Sequence, residues 1–534
     1  MATLTYHRKP NGATYVYRQE SFWDKSKKRS ATRQVCIGKL DGSGEIVYNK
    51  RYSDPAARSA LEKGEAISES VTTGQSLVLA KATKETGLER VLRSSFDADV
   101  ADKLISLAYA VVATGEGTMY SAPIWIEDND CPAHDAPPTS QSISWLLSQI
   151  SQSRIEAFLR AWCTHRDKGG REQYCFDITS ISSHNKNNPF VEWGYNRDKE
   201  RLPQVNLALL TSVKTSIPTY FELLPGSMSD VRCIHTFCER MEKYGTGRIR
   251  MLLDRGFYSE GNIKLLLDAH IGFCIPVPQN ISWAQKLIDE SREAVEMPEH
   301  IITLSDDGKA AVYGMSVLSK ADGRRVWKHV YYDSARRAEH ILGFFADLAA
   351  WEEELTSGNT LEANQWAYDA YFTVKTTPKR GRKVARNQET INSYKSDRAG
   401  YWVILTNTEK DGAACLKAYR ERSLVEQSFD DFKNELDLKR LRTHNQDTMR
   451  GRVFVQFLAL VITAYIRMTL DDAWAGRDEV PREDRLSRHY SIKELMLRLG
   501  SYRMTRFSDR YGKVVSTPTK AQREIFTAFG IGIC

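Results

Sequence analysis

Between Tyr419 and Lys433 the chain reads Y-R-E-R-S-L-V-E-Q-S-F-D-D-F-K. Wound as an α-helix at about 100° per residue, this stretch puts Tyr419, Arg422, Glu426 and Lys433 on one narrow arc. Val425, Phe429, Phe432 and Leu436 fill the neighbouring arc, so an apolar stripe borders a polar one. A carboxylate held among two cations and a phenol at the edge of a core suits a metal ion and a phosphate. The same spacing also describes a solvated face laced with i,i+4 pairs such as Arg422–Glu426. Two upstream segments bear on the choice.

Asp177 lies inside the apolar strand pattern Y-C-F-D-I-T-S, on the opposite face from Phe176 and Ile178. An acid is disfavoured in a strand interior, and burying its charge is costly unless it is paired or binds a metal. Asp254 ends the run R-I-R-M-L-L-D, with Gly256 close behind. The carboxyl end of a buried strand is where α/β sheets place site residues. The bland alternatives are a surface-facing aspartate on a one-sided sheet and an acceptor for loop amides. Asp177, Asp254 and Glu426 together make the oxygen-rich set that hard divalent cations need for phosphoryl transfer.

These side chains need a sheet behind them. Y-C-F-D-I-T-S-I-S, Q-V-N-L-A-L-L-T-S and T-Y-F-E-L-L-P-G read as three consecutive strands, followed by helix, strand, helix and strand up to G-F-C-I-P-V-P. That order implies a mixed sheet with helices on its faces. Residues 1–50 read as short strands in which basic and aromatic residues alternate, and about 66–170 as helices. About 283–400 mixes short strands with a helix and a charged loop. Val453–Met468, broken by Gln456, Thr463 and Arg467, reads as a buried core helix rather than a membrane span. At 534 residues the chain calls for several domains. Its net charge of +7 is compatible with a polyanionic partner. The N-terminus lacks a secretory signal pattern, and nine cysteines without a C-x-x-C pair fit reduced thiols in a cytosolic protein. Lys375, Lys379, Arg380, Arg382, Lys383 and Arg386 form a cationic loop with no acid inside it. Lys439, Arg440, Arg442, Arg450 and Arg452 form a second basic segment after the Tyr419 helix; either could neutralise phosphates.

The spacing Tyr, two residues, Arg, three residues, Glu, six residues, Lys resembles the Y-R-E-K motif of DDE-type transposases of bacterial insertion sequences, in the IS-four-like group. M-L-L-D-R-G-F-Y-S and F-D-I-T-S are similar to the second-acid and first-acid regions of such enzymes. The likeness covers roughly residues 170–470, with the three motifs in the expected order. It implies an α/β fold: an RNase H-like mixed sheet flanked by helices, with a β-rich insertion domain and additional N- and C-terminal domains. The expected divisions are a β-rich module at 1–65 and a helical, transposon-end-binding region at 66–170. The catalytic core would occupy 171–282 and 401–470, the insertion domain 283–400 and a C-terminal module 471–534.

The resemblance further implies that Asp177, Asp254 and Glu426 are catalytic and hold two Mg²⁺ ions, with Mn²⁺ as a substitute. Tyr419, Arg422 and Lys433 would handle phosphates beside the cut, and Lys379, Arg380, Arg382, Lys383, Lys439, Arg440 and Arg442 would contact DNA further out. The implied partners are double-stranded DNA, both the terminal inverted repeats and the target, and a second copy of the chain in a synaptic homodimer; no membrane is involved. The implied place is the bacterial cytoplasm, at the nucleoid. In relatives an insertion-domain tryptophan stacks on a flipped base during hairpin formation; Trp283, Trp327, Trp351 and Trp366 are the candidates. The implied activity is metal-dependent cleavage at transposon ends and strand transfer through hairpin intermediates. The competing readings are a DNA-binding protein that has lost catalysis, an RNase H-like nuclease without strand transfer, and a metal phosphatase.

Overall fold

A computed structural model describes residues 3–10, 12–24, 29–42, 44–49, 67–166, 172–185, 187–196, 200–244, 249–304, 311–377, 381–422, 429–443, 445–475, 490–507 and 512–532. The chain divides into two units, Met1–Gly74 with Leu499–Lys520, and Gln75–Arg498 with Ala521–Cys534.

The first unit contains a four-stranded antiparallel sheet in the order β1 (Thr3–Arg8), β2 (Thr14–Asp24), β3 (Arg29–Leu40) and β4 (Ile46–Tyr48). It also holds β5 (Ile67–Thr72), which pairs antiparallel with β18 (Arg503–Phe507), itself paired with β19 (Lys513–Val515). The chain therefore does not divide at 65/66, and residues 471–534 do not stand as one module. The backbone groups of β5 find their ladder partners on β18, so the C-terminal strands complete the N-terminal unit.

The second unit is built on one large mixed sheet. Its strands are β6 (Gln173–Ser183), β7 (Gln204–Ser212), β8 (Pro218–Pro225), β9 (Arg250–Leu253), β10 (Gly272–Val277), β11 (Ile301–Leu304), β12 (Ala311–Ala321), β13 (Arg324–Asp333) and β16 (Tyr401–Thr406). They run in the order β11-β12-β13-β16-β10-β9-β6-β7-β8. β6 with β9 and β9 with β10 are parallel, the latter pair joined through helix Glu260–Asp268; the other neighbours in this order are antiparallel. This is a mixed α/β sheet flanked by helices. β7 is buried along its whole length, as a strand covered on both faces must be.

Register shows which face each row serves. Phe176 packs against Phe237 of helix Asp230–Tyr244, with ring centroids 4.7 Å apart. On the opposite face, Phe221 meets Phe457 of the long helix Gln446–Ala475 at 4.8 Å. Asp177 pairs with Leu209, and Leu209 with Phe221, so Asp177 lies on the long-helix face. The long helix has the length and hydropathy of a membrane span. Phe454, Phe457, Leu460 and Val461 on it are nevertheless fully buried. It packs on helices Ala98–Thr114 and Ser140–Gln149 and on β8. Helices Ala98–Thr114 and Ser140–Gln149, from the region expected to be helical at 66–170, thus pack on the long helix.

Residues 283–400 are shared rather than separate. β16 pairs with β10 on one edge and β13 on the other, so β11–β13 continue the main sheet. The remainder forms a satellite body led by helix Arg336–Ser357. Its core is Phe344, Leu348, Leu355, Tyr368, Tyr371 and Ile391, and it carries a two-stranded hairpin, β14 (Phe372–Thr377) with β15 (Gly381–Arg386).

Two contacts fix the long helix. Gly451 crosses helix Ser140–Gln149 where an added Cβ would lie 2.2 Å from the Leu147 carbonyl oxygen. Arg467 makes a bidentate ion pair with Asp431, through Nη2–Oδ1 at 2.6 Å and Nε–Oδ2 at 2.8 Å. Asp431 is 2% exposed. Gly451→Ala should destabilise the protein by about 1–3 kcal/mol, because the obstacle is backbone and cannot rotate away; urea denaturation reads this. Arg467→Met strips a buried carboxylate of its guanidinium and should cost about 3–5 kcal/mol, whereas Arg467→Met with Asp431→Leu should recover most of that loss.

Candidate active site

The site begins where β9 stops. Phe176 pairs with Leu253 in the last parallel register position, so Asp177 and Asp254 occupy the next position on adjacent strands. Neighbouring strands lie about 4.8 Å apart, and paired residues of parallel strands share a face. Asp254 keeps extended backbone angles (φ −79°, ψ 160°), which continues the strand direction for this one residue. Two acids thus stand side by side where β9 ends against the middle of β6, on the face opposite Phe176.

Their environments differ. Asp177 is 9% exposed, and its Oδ1 accepts from the Ile178 amide at 2.8 Å. Asp254 is more open; its Oδ1 accepts from the Arg255 amide at 2.7 Å and caps the short 3₁₀ turn Arg255–Phe257. Arg422 Nη1 stands 2.9 Å from the same oxygen, an ion pair by distance rather than an aligned hydrogen bond. Among the described residues the hydrogen bond and ion pair of Asp254 both fall on Oδ1. Burial pushes the neighbouring Cys175 thiol up to about 12, and Arg422 pulls against that shift while Asp177 adds to it. The guanidinium is therefore felt across the row that holds both acids.

Arg422 is delivered by helix Gly412–Arg420, whose first turn is capped by Asp411 accepting from Ala414 N at 3.0 Å. The Arg422 guanidinium lies 5.6 Å from the Tyr419 ring centroid. Burial pushes the Tyr419 phenol up to about 12, with Arg422 opposing, so Tyr419 is a neutral donor at ordinary pH. The base of this helix is fixed from below: Tyr331 OH donates to the Gly412 carbonyl at 2.8 Å, and Cys274 and Cys415 sulfurs meet at 3.5 Å. His329 bridges Ser316 and the Glu409 carbonyl in the same layer, at 2.8 and 3.1 Å. Nothing in the sequence signals these supports, because they join residues up to 141 positions apart.

The single regular helix expected from Tyr419 to Leu436 is not what forms. The α-helix ends at Arg420, and Arg422 sits in a turn. Helix is described again from Phe429, with π-type hydrogen bonding over Asp431–Glu435. The buried Asp431–Arg467 pair and the Leu436 amide bonded to the Asp431 carbonyl set this segment on the long helix instead. Lys433 is half-buried in that π-turn. Glu426 lies outside the described residues. Among the described residues no group of three metal-ligating side chains occurs. Asp177 and Asp254 are the two described acids that fit a divalent cation, as paired hard oxygen donors with one oxygen open.

The outer cations are not gathered at the acids. Lys379 and Arg380 lie outside the described residues; Arg382 and Lys383 are exposed on the β14–β15 hairpin. Lys439, Arg440 and Arg442 are exposed around β17 (Arg440–Leu441), which pairs parallel with Ser182 and Ser183. That is the same edge of β6 that β9 leaves at Phe176, roughly 17 Å along the strand from Asp177 at about 3.3 Å per residue. Arg440 pairs with Glu200 at 3.1 Å. Arg452 is engaged internally, donating to the Arg442 carbonyl at 2.7 Å, and Arg450 pairs with Asp447 at 3.0 Å. Of the four tryptophans, Trp366 is exposed, Trp351 packs on the satellite core, and Trp283 donates to Tyr258 OH under the Lys328 ammonium. Trp327 is half-buried in β13.

Comparison with known proteins identifies the family. The sequence model of the family described as "Transposase DDE domain" matches residues 168–462, more than half of the chain. No curated protein matches the sequence. Among solved structures, a piggyBac transposase in a synaptic complex with hairpin DNA is 11% identical, covering 80% of this chain and 76% of its own, with a TM-score of 0.38. A likeness that distant carries no weight for this chain. The matched residues run from before Asp177, through Asp254 and Arg422, into the long helix that backs them, and the chain belongs to the transposase DDE domain family.

Proposed function

We propose that this DDE transposase cuts DNA at the ends of a mobile element and joins those ends to target DNA, in a reaction dependent on Mg²⁺ with Mn²⁺ as a substitute. The observation that carries the reading is the register of β6 and β9, which stands Asp177 beside Asp254 under Arg422. Divalent ions, two in number, would supply Lewis-acid stabilisation of the attacking and leaving oxygens. Asp177, Asp254 and Glu426 are the residues that would hold them.

The remaining chemistry belongs to the chain's own groups. Arg422 and Lys433 would neutralise charge on the reacting phosphate, the guanidinium offering paired donors and the ammonium a compact point charge. Tyr419, neutral at ordinary pH, would donate to a phosphate oxygen. Water attacks phosphorus at the element's end and the 3′-oxygen leaves as a hydroxyl. That hydroxyl would attack phosphorus on the opposite strand, displacing the flanking DNA's 3′-hydroxyl and closing a hairpin. A second water would open it and restore the 3′-hydroxyl, which would attack target phosphorus and displace a target 3′-hydroxyl. A homodimer holding both inverted repeats, acting on nucleoid DNA, is the assembly this scheme requires.

The test is cleavage of a duplex carrying the DNA that flanks the gene, with and without Mg²⁺ or Mn²⁺. Wild type should give metal-dependent cuts with hairpin and joined products. Glu426→Gln, Asp177→Asn and Asp254→Asn should each lower cutting by more than about a hundredfold, beyond the loss typical of residues that only support metal ligands. DNA affinity without metal should stay near that of wild type. Cutting that survives in all three variants would sink the assignment. In a second prediction, Tyr419→Phe should slow cutting while leaving the protein's stability unchanged, since it removes only a donor facing the phosphate.

A further inference from the structure

The β14–β15 hairpin has two unlike faces. Phe372 on the inner face is buried, and Val384 packs against the satellite core. Arg386, on that same face, holds helix Arg336–Ser357 through Glu352 at 2.6 Å. This ion pair ties the ribbon to the helix. The outer face carries Thr373 paired with Ala385 and Lys375 paired with Lys383, all exposed. Like charges directly opposite on an antiparallel pair destabilise it. Neither lysine has an acidic partner among the described residues, and the sequence from Ala370 to Gln388 contains no acid. The neighbours Thr373 and Ala385 are small, so a flat surface can approach closely. An exposed like-charge pair on a ribbon held rigid from behind is a locally unfavourable arrangement that a polyanion would relieve.

We propose that the outward face of this hairpin is a phosphate-binding ribbon that lies along the backbone of duplex DNA, with Lys375 and Lys383 as its paired contacts. This rests on the transposase reading for the identity of the polyanion. The face carries ammonium groups and small side chains only, so it positions the duplex without reading its sequence.

The test uses the full chain without divalent metal and a duplex of about 30 base pairs of unrelated sequence, with affinity followed by fluorescence anisotropy across a NaCl series. Lys375→Gln with Lys383→Gln should weaken binding several-fold and reduce the slope of log affinity against log salt by about 2, close to one per phosphate no longer neutralised. Lys375→Glu creates an opposite-charge pair with Lys383, so the melting temperature should hold or rise while DNA affinity falls further. Unchanged affinity and slope in both variants would overturn the proposal, as would binding to anionic lipid vesicles that depends on these lysines while DNA affinity does not. If wild type fails to cut but the slope falls, the ribbon stands and the transposition reading fails. If wild type cuts and the slope is unmoved, the ribbon alone fails.

Discussion

Two acids side by side repel whenever both carry charge, and the structure holds Asp177 and Asp254 in neighbouring positions regardless. The constraint is the parallel register of β6 and β9. Its last pair, Phe176 with Leu253, is locked by the apolar layer under helix Asp230–Tyr244 and leaves Asp177 and Asp254 nowhere to separate. A one-residue slip of either strand would turn its acid into that apolar layer. Arg422 supplies one compensating charge, and the open Oδ2 of Asp254 leaves room for a cation to supply more.

The rest of the second unit follows from presenting Arg422 to those acids. β16 inserts between β10 and β13, which brings Tyr331, His329 and Cys274 beneath helix Gly412–Arg420. Strands from the segment between Asp254 and β16 are therefore structural members of the main sheet as well as the stem of the satellite body. Further along the chain than Glu426, Asp431 is tied to Arg467 within the most deeply buried helix of the chain. A paired buried charge of this kind fixes position more than it adds stability. It accounts for an arginine in the apolar run Val453–Met468.

The strands and the acids were legible in the sequence. β6 through β10 announce themselves as short apolar runs between turn signals, and Asp177 and Asp254 stand out because each breaks or ends such a run. The Tyr419 spacing pointed to phosphate chemistry, and the Tyr419–Arg422 contact forms within one helical turn and its exit. The single long helix did not form, because helical periodicity describes only local backbone preference. The ion pair of Asp431 with a residue 36 positions away decided the path of that segment.

Local pattern thus determined the fold class and marked the acids as candidates, since apolar periodicity and acid placement are properties of neighbours along the chain. Tertiary structure decided which strands share a sheet, which of the hairpin's cations anchor it and which face outward, and that C-terminal strands complete the N-terminal unit. These depend on hydrogen-bond partners and packing surfaces brought together from hundreds of residues apart. No window of sequence contains both halves of such a contact.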